Sequence, residues 1–297
     1  MTWPALFWEA APKALLYAAL LPALGAPVAR WALLPALSGV LSAIARTRVE
    51  RQLGELGLVS ALVVLLATAL RAWTHTVAAF GFSDAQSWEA IRIIAFESRW
   101  GSGWVLQIAA AVLLFLSYLA VRVRPSTGWV LAAASGASMC VALPLLGHAA
   151  GSLGRMAIHT AHLLGAGLWI GTLAALWMVA RTESRIRPGA VQEIPAALFR
   201  QFSTIALSGS ALLLVAGLFA SALYIQTPAS LFTTPYGRTL LAKTTLVAAI
   251  GACGFTNWRR FAHSSGGRDA IPSTVPLEVA LALAVVLTTA VLTELEH

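Results

Sequence analysis

Charge is what this sequence has least of. Only 11% of its 297 residues are Asp, Glu, Lys or Arg, against about 25% in an ordinary soluble domain. A surface with less than half the usual charge excludes a soluble globular enzyme, a disordered tail protein and a nucleic-acid binder with a basic face on a polar body. Cysteine is scarce as well. Cys140 and Cys253 are the two present, both inside apolar runs, so no disulfide scaffold is available. No G-x-x-x-x-G-K-[ST] loop, no G-x-S-x-G elbow and no H-E-x-x-H pair occurs. The expectation is therefore a protein that is neither ATP-driven nor an enzyme.

Apolar residues fill the space that charge leaves: 59% of the chain is hydrophobic and the mean hydropathy is +0.79. Crossing a hydrocarbon layer of about 30 Å takes about 20 apolar residues at 1.5 Å each. Eight such runs occur, near 12–34, 56–80, 103–122, 127–147, 156–180, 203–225, 239–257 and 275–293. They are rich in Leu and Ala and show no ten-residue alternation, which favours helices over a β-barrel. Residues 35–52 read as a candidate short interfacial helix ending in Arg46, Arg48 and Arg51. The fold expected is all-α, a polytopic membrane bundle of eight transmembrane helices. Met1–Glu9 has no basic start and no cleavage site follows, so the first span is expected to remain.

The net charge of +8 fixes orientation rather than a nucleic-acid surface. Every loop on one side is basic. Arg46, Arg48 and Arg51 sit in the first, Arg122 and Arg124 in the second, Arg181 to Arg200 in the third, and Arg259, Arg260 and Arg268 in the fourth. Basic loops face the cytoplasm, which puts both termini in the periplasm. A faint echo links Trp100–Gln107, entering span three, with Tyr236–Lys243, entering span seven. It suggests a 4+4 pseudo-repeat with halves 1–150 and 151–297, inside what is otherwise one membrane domain, 1–297.

Ionisable groups in hydrocarbon are costly and invite a functional reading. His75 lies near the outer end of span two, His148 at the outer end of span four, and His159 and His162 in the first turns of span five. All four fall at one depth. His159 and His162 are three apart, on one helix face, and His148 is eleven residues earlier across a Gly-containing turn. Such an imidazole cluster suits copper, zinc, iron or nickel. Met156, one turn before His159, adds a soft ligand. Taken alone, His75 reads equally as a hydrogen-bonded interfacial aromatic. Met139, Cys140, Met178 and Cys253 read as core filler before stepping stones. Arg71, inside span two, must face protein or water, holding an anionic group or a loop carbonyl. Glu278 is expected to pair with Arg259 or Arg260 on the inner side.

In order along the chain, several segments resemble the CopD family of inner-membrane copper resistance proteins. They are Phe96 to Gln107, Gly147-His148-Ala149, His159 to Gly171, Arg200 to Ser203, Gly217, Thr234 to Lys243, Asn257 to Arg260, and Glu278. The resemblance implies copper handling across the bacterial inner membrane, with import of copper delivered by a periplasmic CopC-like protein. It implies His148, His159 and His162 as ligands, with His75 beside them. No CopC-like segment precedes the first span, so that partner is expected as a separate chain. Two other readings stay open. One is a b-type haem electron-transfer protein, with His75 paired to His159 or His162 on the iron. The other is a copper-binding docking or sensor subunit without transport, suggested by an inner half poor in metal-binding groups.

Overall fold

The computed structural model describes residues 3–37, 42–147, 149–186, 196–263 and 274–295. Eight of its helices are long and apolar enough to cross a membrane: α1 (Trp8–Ala36), α2 (Ala43–Phe80), α3 (Arg99–Val123), α4 (Pro125–Leu146), α5 (Leu153–Arg181), α6 (Gln201–Tyr224), α7 (Pro235–Arg259) and α8 (Val275–Leu292). The described residues contain no strand. Each expected span is found, and apart from the start of α2 the ends move by a few residues. One expectation is corrected. Residues 43–52 are no separate interfacial helix but the opening turns of α2, which runs unbroken for 38 residues. At 1.5 Å per residue that is about 57 Å, nearly twice the hydrocarbon thickness. The Arg46, Arg48 and Arg51 turns therefore project beyond it.

Helix α1 is the hub. It packs against α2, α4, α5 and α8, while α2, α3 and α4 follow one another as antiparallel neighbours, as do α5 with α6 and α7 with α8. The α1–α5 crossing is tight because two glycines meet in it: a Cβ on Gly25 would lie 2.0 Å from the carbonyl carbon of Gly171. With no side chain on either, the backbones come into direct contact, as in other small-residue helix crossings in membranes. A π-turn, Gly167–Gly171, ends on this crossing.

The main core lies among α1 to α4 and includes Leu16, Leu20, Val64, Leu114, Trp129 and Met139. Tyr118 joins it and donates its hydroxyl to the Ala23 carbonyl at 2.5 Å. Buried hydroxyls satisfy themselves within their own helices, Thr68 on Val64 O at 2.7 Å and Thr76 on Ala72 O at 2.8 Å.

Two ion pairs tie the ends of α1. On one face Arg30 Nε donates to Glu50 Oε1 of α2 at 2.5 Å. On the other, Lys13 pairs with Glu294, just past α8. That contact brings the first and last spans together at the face carrying both termini, here called the terminal face. Helix α5 also begins there, with Ser152 accepting from Arg155 N at 3.4 Å as its N-cap.

Candidate metal centre

Three residues apart on α5, His159 and His162 share a helix face, and that face packs on α6. Two glycines again set the approach. A Cβ on Gly165 would stand 2.8 Å from Gly209 O and 2.7 Å from Leu213 N. One turn further along α6, Gly217 leaves room for the His162 ring: a Cβ there would lie 3.1 Å from its Cε1 and 3.3 Å from its Nδ1.

The His162 ring is held through Nδ1, 2.9 Å from the carbonyl oxygen of Leu213. A carbonyl oxygen only accepts, so Nδ1 carries the hydrogen and Nε2 keeps its lone pair. Metal-binding histidines are oriented in this way, one ring nitrogen donating to a carbonyl or carboxylate while the other binds. His159 Nε2 lies 3.1 Å from the Tyr224 hydroxyl at the end of α6, a contact that suits either tautomer. Lys243 of α7 acts electrostatically on both rings, and Arg155 on His159. The immediate surroundings are thus cationic.

Two of the remaining expected ligands, His75 and Met156, stand elsewhere. His148 lies outside the described residues. His75 Nδ1 is 3.4 Å from Glu9 Oε1 of α1, and its ring stacks on Trp100 of α3 with centroids 4.3 Å apart. Met156 lines an apolar groove between α4 and α5 with Val141, Leu153, Ala157, Thr160 and Leu164. Among the described residues no three His, Cys, Asp or Glu side chains are grouped so as to hold a metal ion. What the structure brings together is the α5 pair, His159 and His162. The pairing considered for haem, His75 with either of them, would join rings that face different neighbours, α1 and α3 against α6. Met139 and Cys140 are fully buried in the apolar core, and Met178 is exposed.

Arg71 and Glu278 each have a neutral hydrogen-bond partner. Arg71 is buried and donates through Nη1 to Gln107 Oε1 of α3 at 2.8 Å, a side-chain amide rather than a loop carbonyl. Glu278 is buried and accepts from Asn257 Nδ2 at 2.5 Å and Thr274 Oγ1 at 3.4 Å. Both of these donors are neutral; the side chain of Arg260, one of the two arginines expected beside Glu278, lies outside the described residues. Tyr224 and Leu213 had no signal in the sequence, because a hydroxyl and a backbone carbonyl of span six become partners only once α6 lies on α5.

The copper resistance protein D-like N-terminal domain pattern matches residues 8–158, just over half of the chain. The chain belongs to the copper resistance protein D family. A second pattern of the family, copper resistance protein D, matches residues 196–292. Among curated proteins the chain is similar to copper transport protein CutJ of Bacillus subtilis (strain 168), 31% identical over 250 residues. That match covers 80% of this chain and 44% of CutJ, so the chain spans less than half of that relative's length. No solved structure matches. Family membership and the eight apolar helices together make this a multi-pass membrane protein of the copper resistance protein D family.

Proposed function

We propose that the chain takes up copper at its terminal face and moves it toward the other side, with His159 and His162 as its first protein ligands. The observation that carries this reading is the His162 Nδ1–Leu213 O contact, which leaves Nε2 as a free base on a ring held in one orientation. His159 stands one turn away on the same face. His148 is the third ligand in this reading, supplied by the segment between α4 and α5. His75 and Met156, engaged with other neighbours, are left out of the set.

In this reading orientation follows the basic loops, with the terminal face toward the periplasm of a bacterial inner membrane. A periplasmic copper-binding protein of the CopC type, as a separate chain, would then hand its metal to this face, with lipid around the bundle. Copper is the cargo here, and two or three imidazoles hold it without the tight grip that would prevent release.

The test is metal content and uptake. Purified protein should bind copper, and the His159→Ala/His162→Ala variant should lose it, with loss of copper uptake into vesicles. Full copper stoichiometry in that variant would refute the assignment. Binding without uptake in the unmodified protein would leave the docking or sensor reading in its place.

A further inference from the structure

His159 Nε2 and the Tyr224 hydroxyl oxygen stand 3.1 Å apart across the α5–α6 interface. The two rings are tilted by 40° with centroids 5.9 Å apart, so they do not stack. Tyr224 closes α6, and its ring packs edge-on against the buried Tyr236 of α7, with centroids 6.3 Å apart at 62°. The hydroxyl is thus held beside α5 from a neighbouring helix.

We propose that Tyr224 is a metal ligand beside His159, and that the copper this site accepts is Cu(II). The assignment rests on the copper reading above and adds an oxygen donor to its imidazoles.

Three observations carry it. The first is spacing. Bonds to imidazole nitrogen and to oxygen run about 2.0–2.2 Å in zinc sites, and other first-row metals are similar in size. Two such donors at near a right angle lie about 3 Å apart, which is the separation of His159 Nε2 and the Tyr224 oxygen. A metal ion in place of the shared hydrogen leaves both donor atoms near their present positions.

The second is charge. Lys243 and Arg155 make the surroundings cationic, and among the described residues no Asp or Glu joins His159 and His162. A dication held by neutral imidazoles alone would stay uncompensated there. Tyr224, in contact with His159, supplies an oxygen that becomes anionic on binding.

The third is softness. Thiolate and thioether ligands select Cu(I), whereas nitrogen and oxygen donors in a tetragonal set suit Cu(II). The soft side chains stand off the site. Met156 lines the α4–α5 groove, Met139 and Cys140 lie in the apolar core, and Met178 is exposed toward the far end of α5. Cys253 is ten residues along α7 from Lys243, about 15 Å at the helical rise.

Atoms and charge balance without any redox step. Cu(II) bonds to His159 Nε2 and to the phenol oxygen, the O–H bond breaks, and the proton leaves to water. His159 then carries its hydrogen on Nδ1.

The test uses full-length protein in detergent, with Cu(II) and Cu(I) added separately. The Cu(II) form should show a visible phenolate-to-copper charge-transfer band, with phenolate ring modes in its resonance Raman spectrum. Those modes are read on the unmodified protein, so they serve even where a variant fails to fold. Tyr224→Phe should lose the band and bind Cu(II) at least about tenfold more weakly, with Cu(I) affinity unchanged. Tyr236→Phe should keep the band. Copper bound as Cu(II) without phenolate modes, or a band that persists in Tyr224→Phe, would overturn the assignment. So would equal loss of Cu(I) and Cu(II) affinity in Tyr224→Phe, the mark of a purely structural hydroxyl. Absence of copper binding in either oxidation state would refute the copper reading itself, and this assignment with it.

Discussion

Nδ1 of His162 and the carbonyl oxygen of Leu213 lie 2.9 Å apart across the α5–α6 interface. One contact thereby sets both the tautomer of the ring and its direction, and Gly217 provides the space for it. The site's precision comes from a close crossing of two helices, not from a dense shell of ligands.

Gly217→Ala tests that space directly. The new methyl would stand 3.1 Å from His162 Cε1, close enough to push the ring by a few tenths of an ångström. Displacing a metal-orienting contact typically lowers affinity about 10–100-fold. Alanine is expected near the lower bound and Gly217→Val well beyond it, with the α-helical circular dichroism unchanged. Chelator competition for copper checks the series, and equal affinity in all three proteins would refute the role given to Gly217.

Lys243 should work against the metal. Its ammonium acts on both histidines from α7, and a cation entering between the rings meets it in a poorly screened setting. Like charges that interact through protein at an effective dielectric near 20 repel by a few kcal/mol at contact and less when further apart. Lys243→Met is therefore expected to tighten copper binding by roughly tenfold, allowing for partial screening. Titration of the purified variant reads this out, and weaker binding would show instead that the lysine supports the site.

The Gly25–Gly171 crossing predicts a stability effect remote from the metal. Gly171→Leu must separate α1 from α5, because the first added carbon already meets the Leu21 carbonyl oxygen at 2.1 Å. Overpacking a filled interface costs about 1–3 kcal/mol, and more where backbone must move. A lower thermal midpoint in detergent is expected, with copper affinity falling only as far as the fold does. An unchanged midpoint would mean that α1 is not held against α5 in this way.

Much of the architecture is legible along the chain, because hydrocarbon imposes a rule that each segment must satisfy by itself. Eight runs of apolar residues become eight helices since every backbone amide there must bond within its own segment. The start of α2 at Ala43 is not legible in this way, because its charged first turns stay helical although composition changes at once. The i, i+3 spacing of His159 and His162 also settles their common face. That spacing is local, so helix geometry alone fixes it.

Contacts between spans are another matter. Nothing in the order of residues tells that His75 meets Glu9 and Trp100, that His162 meets Leu213, or that Glu278 is satisfied by Asn257 and Thr274. Lys13 and Glu294 stand near opposite ends of the chain, and they become neighbours because α1 occupies the centre of the bundle with α8 against it. Hydropathy determines which segments enter the membrane, since every residue contributes to that transfer independently. Glycine contacts and buried polar partners determine how the helices then rotate and cross, and those depend on two segments at once.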